Sequence, residues 1–578
     1  MAKPHTSLVA MNNTAQRAGH SNGAERAGRE SLPLTQQDSA LSLAHLIFSF
    51  TALFAGAIAG VLQGMEKGGV MELPAGIDYY QLVTAHGVLM ALVFTTFFIV
   101  GFLYAGVAKT MGVNGRLIPL TRRLAWSGFL LMGSGTVLTV VMILLGRASV
   151  LYTFYAPMQA SPYFYIGLTL LVLGSWLSGY GIFAQYHHWR KANNGQLSPL
   201  FGFMAVATML LWQVATLGVA AEVLIQLIPW SFGWIPTVNV MLSRMLFWYF
   251  GHPLVYFWLL PAYMVWYVVI PKVVGGKIFS DALARLAFIL LITFSIPVGF
   301  HHQLMEPGIS PFWKYLQVVL TLAVVVPSLM TAFSILAMLE GAGRAKGGRG
   351  LLGWLKKLPW GDVRFFAPFV GMITFIPAGA GGIINASNQM NAVVHNTLWV
   401  TGHFHLTAAT TVALTFFGAA YWLIPHLTGR RLTQAMNRLG MIQTVVWAVG
   451  MFFMSGAMHT LGLLGDPRRT SYTTYNDNPA VLSWEPLRNT MAVGGMILFV
   501  GIILLMVILL YLAFFAPKGR EEFPLGEVAD EAEKTPRILE RWGLWIGIIA
   551  ALVLLAYTIP VVDLLQHAPS GSPPFRMW

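Results

Sequence analysis

Histidine dominates the chemistry available to this chain. Of its 578 residues, 15 are His and none is Cys. The missing thiols exclude disulfides, thiolate-held zinc or copper, iron–sulfur clusters and thioether-linked haem. Any metal is therefore held by His, Met, Tyr or carboxylate. His5 and His20 lie in a polar N-terminal stretch, His187 and His188 follow an apolar block, and His567 follows the last one; these read as solvated or interfacial. His45, His426 and His459 lie near the ends of apolar blocks and read as hydrogen-bonded structural residues. His86, His252, His301, His302, His395, His403 and His405 differ, because they fall in or at the rim of blocks long enough to cross a bilayer. Ionisable groups in hydrocarbon are costly and mark function.

Spacing indicates which chemistry. In Gly402-His403-Phe404-His405 the two histidines are two residues apart. At about 100° per residue they point about 200° apart on one helix. They cannot share a metal, but they can serve two cofactors on opposite sides of it. Neutral imidazole is the usual axial ligand of haem iron. His86 can complete one haem as a six-coordinate, electron-transferring centre, while the other keeps an open position for a gas. His301-His302 with His252 makes a three-imidazole site with an open position, which suits copper, and zinc or iron less specifically. Tyr256 lies one helical turn from His252 on the same face. Tyr263 and Tyr267 continue that face, and Ser328, Thr331 and Ser334 form a second hydroxyl row on another span. The two rows together read as a proton path.

These residues must be positioned by membrane helices. The chain is 56% hydrophobic and 10% charged, against about 25% charged for soluble domains. Its apolar blocks match a hydrocarbon core of about 30 Å. The pattern predicts an all-α polytopic membrane protein with about thirteen spans. The site-bearing ones are expected near 82–108, 238–270, 284–304, 313–339 and 394–425. Residues 1–40 read as a disordered cytoplasmic tail with no signal-peptide apolar core, and 41–578 as a single transmembrane domain. Loops on the tail's side carry most of the 35 Lys and Arg, so the N-terminus is placed in the cytoplasm and the C-terminus outside. The +13 net charge is then a topology signal, and no nucleic-acid module accompanies it. With that orientation, most of the intramembrane histidines converge on the outer portion of the bilayer, and both hydroxyl rows lead toward them from the cytoplasmic side.

The ordered set His86, GHPLVY, FHHQ and GHFH resembles subunit I of the haem–copper oxygen reductases, most closely the B family of ba(3)-type cytochrome c oxidases. The resemblance extends through LFWYFGHPLVYFWLLPAY, RLAFILLITFSIPVGFHHQ, VPSLMTAFS, VVHNTLWVTGHFHL and GDPRR, from about residue 40 to the end. It implies that His86 and His405 are axial ligands of a low-spin haem of b type, and that His403 is the proximal ligand of a high-spin haem of a type. It implies that His252, His301 and His302 hold the copper ion called CuB. Tyr256 would be cross-linked to His252 and give an electron and a proton to oxygen. Tyr263, Tyr267, Ser328, Thr331 and Ser334 would form a single K-type proton path. Arg468 and Arg469 would pair with haem propionates. Leu254 stands where A-family members carry a glutamate, so a D-type path is not expected. Asn391 stands where an aspartate near a high-spin haem propionate is expected; an amide carries no charge, which leaves His395 to load protons alone.

The function implied is that of a terminal respiratory oxidase, a proton-translocating cytochrome c oxidase of a bacterial or archaeal cytoplasmic membrane that reduces O2 to water. The partners implied are a CuA-bearing subunit II, a small helical subunit, cytochrome c and membrane lipid, with no nucleic acid. A CuA site needs cysteines, so this chain cannot hold one. Nitric oxide reductase and quinol oxidase are the alternatives; the former uses non-haem iron with nearby glutamates, which Tyr256 and the lack of a glutamate beside the three histidines argue against.

Overall fold

The computed structural model describes residues 34–529, 534–567, 569 and 571–576. The disordered-tail expectation therefore falls almost wholly outside the described residues, although the first helix already begins at Gln36. Among the described residues thirteen helices are long and apolar enough to cross a membrane. They are α1 (Gln36–Lys67), α2 (Tyr79–Met111), α3 (Pro119–Leu144), α4 (Pro162–Ala192), α5 (Leu200–Ser231), α6 (Val240–Val273) and α7 (Asp281–Gln303). The remainder are α8 (Pro311–Ala345), α9 (Val363–Ala386), α10 (Leu398–Thr428), α11 (Gln434–Leu463), α12 (Pro479–Phe515) and α13 (Trp542–His567). The expected number is met.

The helices start and stop where local chemistry dictates. Side-chain oxygens of Thr35, Asp78, Asn239, Ser280, Thr397 and Thr433 cap the N-termini of α1, α2, α6, α7, α10 and α11. Each satisfies a backbone N–H that the first turn leaves unpaired. Prolines at the first turns of α3, α4 and α8 do the same by removing the donor.

α2, α6 and α10 form the interior: 89%, 89% and 83% of their most apolar windows are buried, against 28% for α8, α9 and α13. The three central helices carry His86, His252 and the His403/His405 pair. Between lipid-facing helices, small residues permit close backbone approach. On α3 and α4, a Cβ added at Gly174 would lie 2.6 Å from the Gly128 carbonyl oxygen.

Three irregularities adjust the expected spans. α8 is interrupted at Val324, because Pro327 lacks the N–H that would bond the carbonyl four residues back and its ring crowds that carbonyl. α7 loses α-helical geometry after Ser295, and His301-His302 sit on a separate tight turn, Phe300–Gln303. His395 is not within α10; it lies between a short helix, Asn388–Val394, and that span's start.

Candidate metal centre

His252 projects from the middle of α6. The turn that follows α7 brings His301 and His302 against it. Gly299 makes that approach possible, since a Cβ there would collide with the Trp248 backbone and the Tyr557 hydroxyl. The ring centres lie 4.3 Å (His252–His301), 4.4 Å (His301–His302) and 5.6 Å (His252–His302) apart. One nitrogen of each ring falls within 4.8 Å of the others, the one such cluster of three among the described residues. The Nε2 atoms of His252 and His302 are buried and have no protein partner, as expected of ligand atoms, because a buried polar group normally finds a partner. On the far side, the Thr321 hydroxyl donates to the Gln317 carbonyl at 2.6 Å and pairs with His301 Nδ1 at 3.0 Å. That contact fixes the ring's orientation and tautomer, as an outer partner of a metal-bound histidine does. Trp248 stacks on His302 at 3.9 Å and 14°. The Tyr256 ring is 4.7 Å from that of His252.

His86 and His405 face each other across a cavity between α1, α2, α10, α11 and α12. Their rings are nearly parallel, at 9°, with centres 6.1 Å apart. Two imidazoles bound to opposite faces of one metal ion at about 2 Å have centres about 6 Å apart, so the pair fits a haem iron. Each Nδ1 is held by a backbone carbonyl, Gly56 at 2.9 Å for His86 and Thr401 at 2.9 Å for His405, leaving both Nε2 atoms for the metal. Gly60 clears the space, because a Cβ there would stand 2.5 Å from His86 Nδ1. His403 points away from this pair toward α9, where a Cβ at Gly381 would meet its Nδ1 at 2.6 Å. The expected divergence of the two histidines on α10 is observed.

The ends of these sites nearest the loop after α11 are strongly cationic. Arg469, at φ +63°, lies over Tyr155 at 5.1 Å, and Arg244 over the same ring at 4.7 Å. Arg468 bonds the Asn396 side chain at 3.0 Å. Arg468 Nε and Arg469 Nη2 are buried without a protein partner. Burial, with Arg469 adjoining, brings the Arg468 guanidinium down to about 10. Unpartnered guanidinium nitrogens at the mouth of the cavity fit the carboxylates of a haem.

The chain matches the family described as cytochrome c and quinol oxidase polypeptide I over residues 40–497. It belongs to that family. Cytochrome c oxidase subunit 1 of Thermus thermophilus is 41% identical over 93% of this chain and 96% of its own. Quinol oxidase subunit 1 of Bacillus spizizenii is 23% identical over 80% of this chain and 70% of its own. A solved haem–copper terminal oxidase dimer superposes with a TM-score of 0.88 at 36% identity, covering 94% of this chain and 96% of that one. The protein is thus a multi-pass membrane subunit of a terminal oxidase, in a family that carries haems and copper, and it works with other subunits.

The oxidase also brings together residues that lie far apart along the chain. Tyr267 donates to Thr331 at 3.1 Å, and Tyr263 neighbours Ser328, so the hydroxyl rows of α6 and α8 meet. Ser334 donates to the Met330 carbonyl at 2.8 Å and also neighbours Tyr267. Before the start of α10, Asn391 Oδ1 accepts from His395 Nδ1 at 3.1 Å. The sequence left His395 without a charged neighbour, but its Nε2 lies 3.5 Å from Glu306. Arg244 grips the same carboxylate at 2.6 and 3.1 Å. The hydrogen bond to His395, and then Arg244, hold the Glu306 carboxyl below the usual range against the opposing effect of its burial. Sequence reasoning missed Glu306 and Arg244. The signal was available in FHHQLMEP, where Glu306 follows His302 by four residues. It is ion-paired and is not one of the clustered ligands.

Proposed function

We propose that His86 and His405 hold a low-spin haem of b type, His403 a high-spin haem of a type, and His252, His301 and His302 a copper ion. When bound, these groups supply the electron transfer and oxygen chemistry that turn O2 into water. The chain's own residues orient them and handle protons. Gly56 and Thr401 carbonyls and the Thr321 hydroxyl fix imidazole orientation. Arg468 and Arg469 receive haem carboxylates, with His395 and Asn391 on the high-spin side. Tyr256, beside His252 and away from bulk water, is the donor of a proton and an electron to oxygen, and a covalent link to His252 would hold it there. Protons reach it along Ser334, Thr331, Tyr267, Ser328 and Tyr263. Leu254 in α6 offers no carboxylate for a second path, which supports the B-family assignment.

With the N-terminus cytoplasmic and the C-terminus outside, protons come from the cytoplasm while electrons arrive from the outer side. Turnover therefore charges the membrane, and part of the proton traffic is pumped. Electrons come from cytochrome c through a CuA-bearing subunit II, accompanied by a small helical subunit. The absence of cysteine from this chain supports a separate CuA subunit. Since the family also includes quinol oxidases, a quinol donor is the second reading, and oxygen uptake with reduced cytochrome c against quinol separates the two.

The observation that carries this proposal is the three-imidazole cluster with a tyrosine, and not a glutamate, against it. Tyr256→Phe tests it. Oxygen reduction should fall by about 100-fold or more, with haem and copper contents unchanged. Near-normal turnover would overturn the tyrosine's role.

A further inference from the structure

A buried charge triad lies behind the arginine pair. Lys67 ends α1, Asp466 begins the loop that carries Arg468 and Arg469, and Arg488 lies near the start of α12. Their exposures are 3%, 0% and 1%. Lys67 Nζ donates to Asp466 Oδ1 at 2.9 Å. Arg488 takes both carboxylate oxygens, Nε to Oδ2 at 2.9 Å and Nη2 to Oδ1 at 3.2 Å. The same two cations clasp the loop on either side of the arginine pair. Lys67 donates to the Pro467 carbonyl at 3.3 Å and the Thr470 hydroxyl at 2.8 Å, and Arg488 to the Thr473 carbonyl at 3.0 Å. Asp466 also ties the loop to α10 by accepting from Leu398 N–H at 2.8 Å.

Two features separate this arrangement from a merely structural ion pair. First, one carboxylate faces two cations, so the triad carries a net positive charge that is kept from water. A buried cation is expensive unless something anionic repays it. Second, Lys67 lines the same cavity as His86, His405, Arg468 and Arg469. A group bound between the two histidines therefore feels the triad across protein instead of solvent.

We propose that Lys67, Asp466 and Arg488 are positioning residues that hold the Arg468–Arg469 loop and set the electrostatic potential at the outer end of the cavity, favouring the reduced form of the haem held there. Reduction adds one negative charge to that group, and uncompensated positive charge nearby stabilises it, strongly so at low effective dielectric. The inference rests on the assignment of the His86–His405 cavity to the low-spin haem.

Redox titration of the purified multisubunit oxidase, followed at the low-spin haem absorption band, tests it. Lys67→Gln keeps hydrogen-bonding capacity toward Pro467 and Thr470, leaves Asp466 paired with Arg488, and removes one charge. It should shift the one-electron equilibrium toward the oxidised form by about tenfold, which is 59 mV. Asp466→Asn leaves both cations uncompensated and should shift the potential the opposite way. Lys67→Arg should return it to the wild-type value. Unmoved potentials in both charge variants would overturn the proposal, as would shifts of the same sign, which indicate a displaced loop. If Asp466→Asn fails to assemble, Lys67→Gln against Lys67→Arg decides the question alone. A wild-type complex with no bis-histidine haem signature would instead overturn the cavity assignment beneath it.

Discussion

His395 shows how a single position can be legible in type and illegible in partnership. The sequence places it four residues after Asn391, where an amide stands in place of the expected acid. The chain restores the negative charge from elsewhere, through Glu306 in the turn after the copper ligands, itself fixed by Arg244. The carboxylate stands four residues after His302, but its pairing could not be read from the sequence, because its partners come from α6 and from the segment before α10. Glu306 lies below the ordinary carboxylate range when folded, so its stabilising contribution is complete above that range and is lost as pH falls through its lowered value. Glu306→Gln removes the contribution. The gap in thermal stability between wild type and this variant should be widest near neutral pH and close on acidification to about pH 4 and below. A gap that widens on acidification would contradict the ion pairing. By contrast, the histidines of the three-imidazole cluster and of the His86–His405 pair could be singled out from the sequence, because imidazole in an apolar block is costly and most of the seven such residues were expected at a similar depth.

Helices as units were readable from length and hydropathy alone; their irregularities were not. α2 carries a π-helical stretch, Val88–Phe94, directly after His86, and α10 carries another, Thr407–Val412, directly after His403 and His405. Such wide turns cluster at functional sites because each re-aims the side chains beyond it. Hydropathy counts apolar residues and does not register one extra residue in a turn, so neither stretch was expected. The small residues that let helices approach the imidazoles were equally silent until a neighbour was known. Gly60 on α1 is the sharpest case. Gly60→Ala would drive a methyl group into the His86 ring and break its bond to Gly56. The low-spin haem band should weaken or be lost while copper content stays unchanged, since α1 does not contribute to the three-histidine cluster. Loss of copper together with an intact low-spin haem would contradict this division of labour.

At the scale of the whole molecule, the lopsided distribution of Lys and Arg predicts an orientation in which every odd-numbered helix runs outward. A chain without cysteine is well suited to testing it. Ser310→Cys at the start of α8 and Ala345→Cys at its end both place a thiol at an exposed position. In cells with the outer face accessible, a membrane-impermeant maleimide should label the first, and label the second only after permeabilisation. The reverse pattern would invert the topology. The last helix is joined to the rest at its N-terminal end by Glu540, which bonds Arg190 at 2.6 Å and Arg285 at 2.9 Å. Its far end is tied by the pairing of Met158–Gln159 with Phe575–Arg576. These long-range ties join residues hundreds of positions apart, and no local pattern in the sequence announces them.

Two haems and a copper ion held by histidine alone form the central claim, and metal quantification tests it most directly. The purified complex, analysed for total iron, copper and pyridine haemochrome, should contain copper, two haems per copy of this chain, and no iron beyond that in haem. Iron in excess of haem, with copper absent, would place a non-haem iron at His252, His301 and His302 and contradict the account.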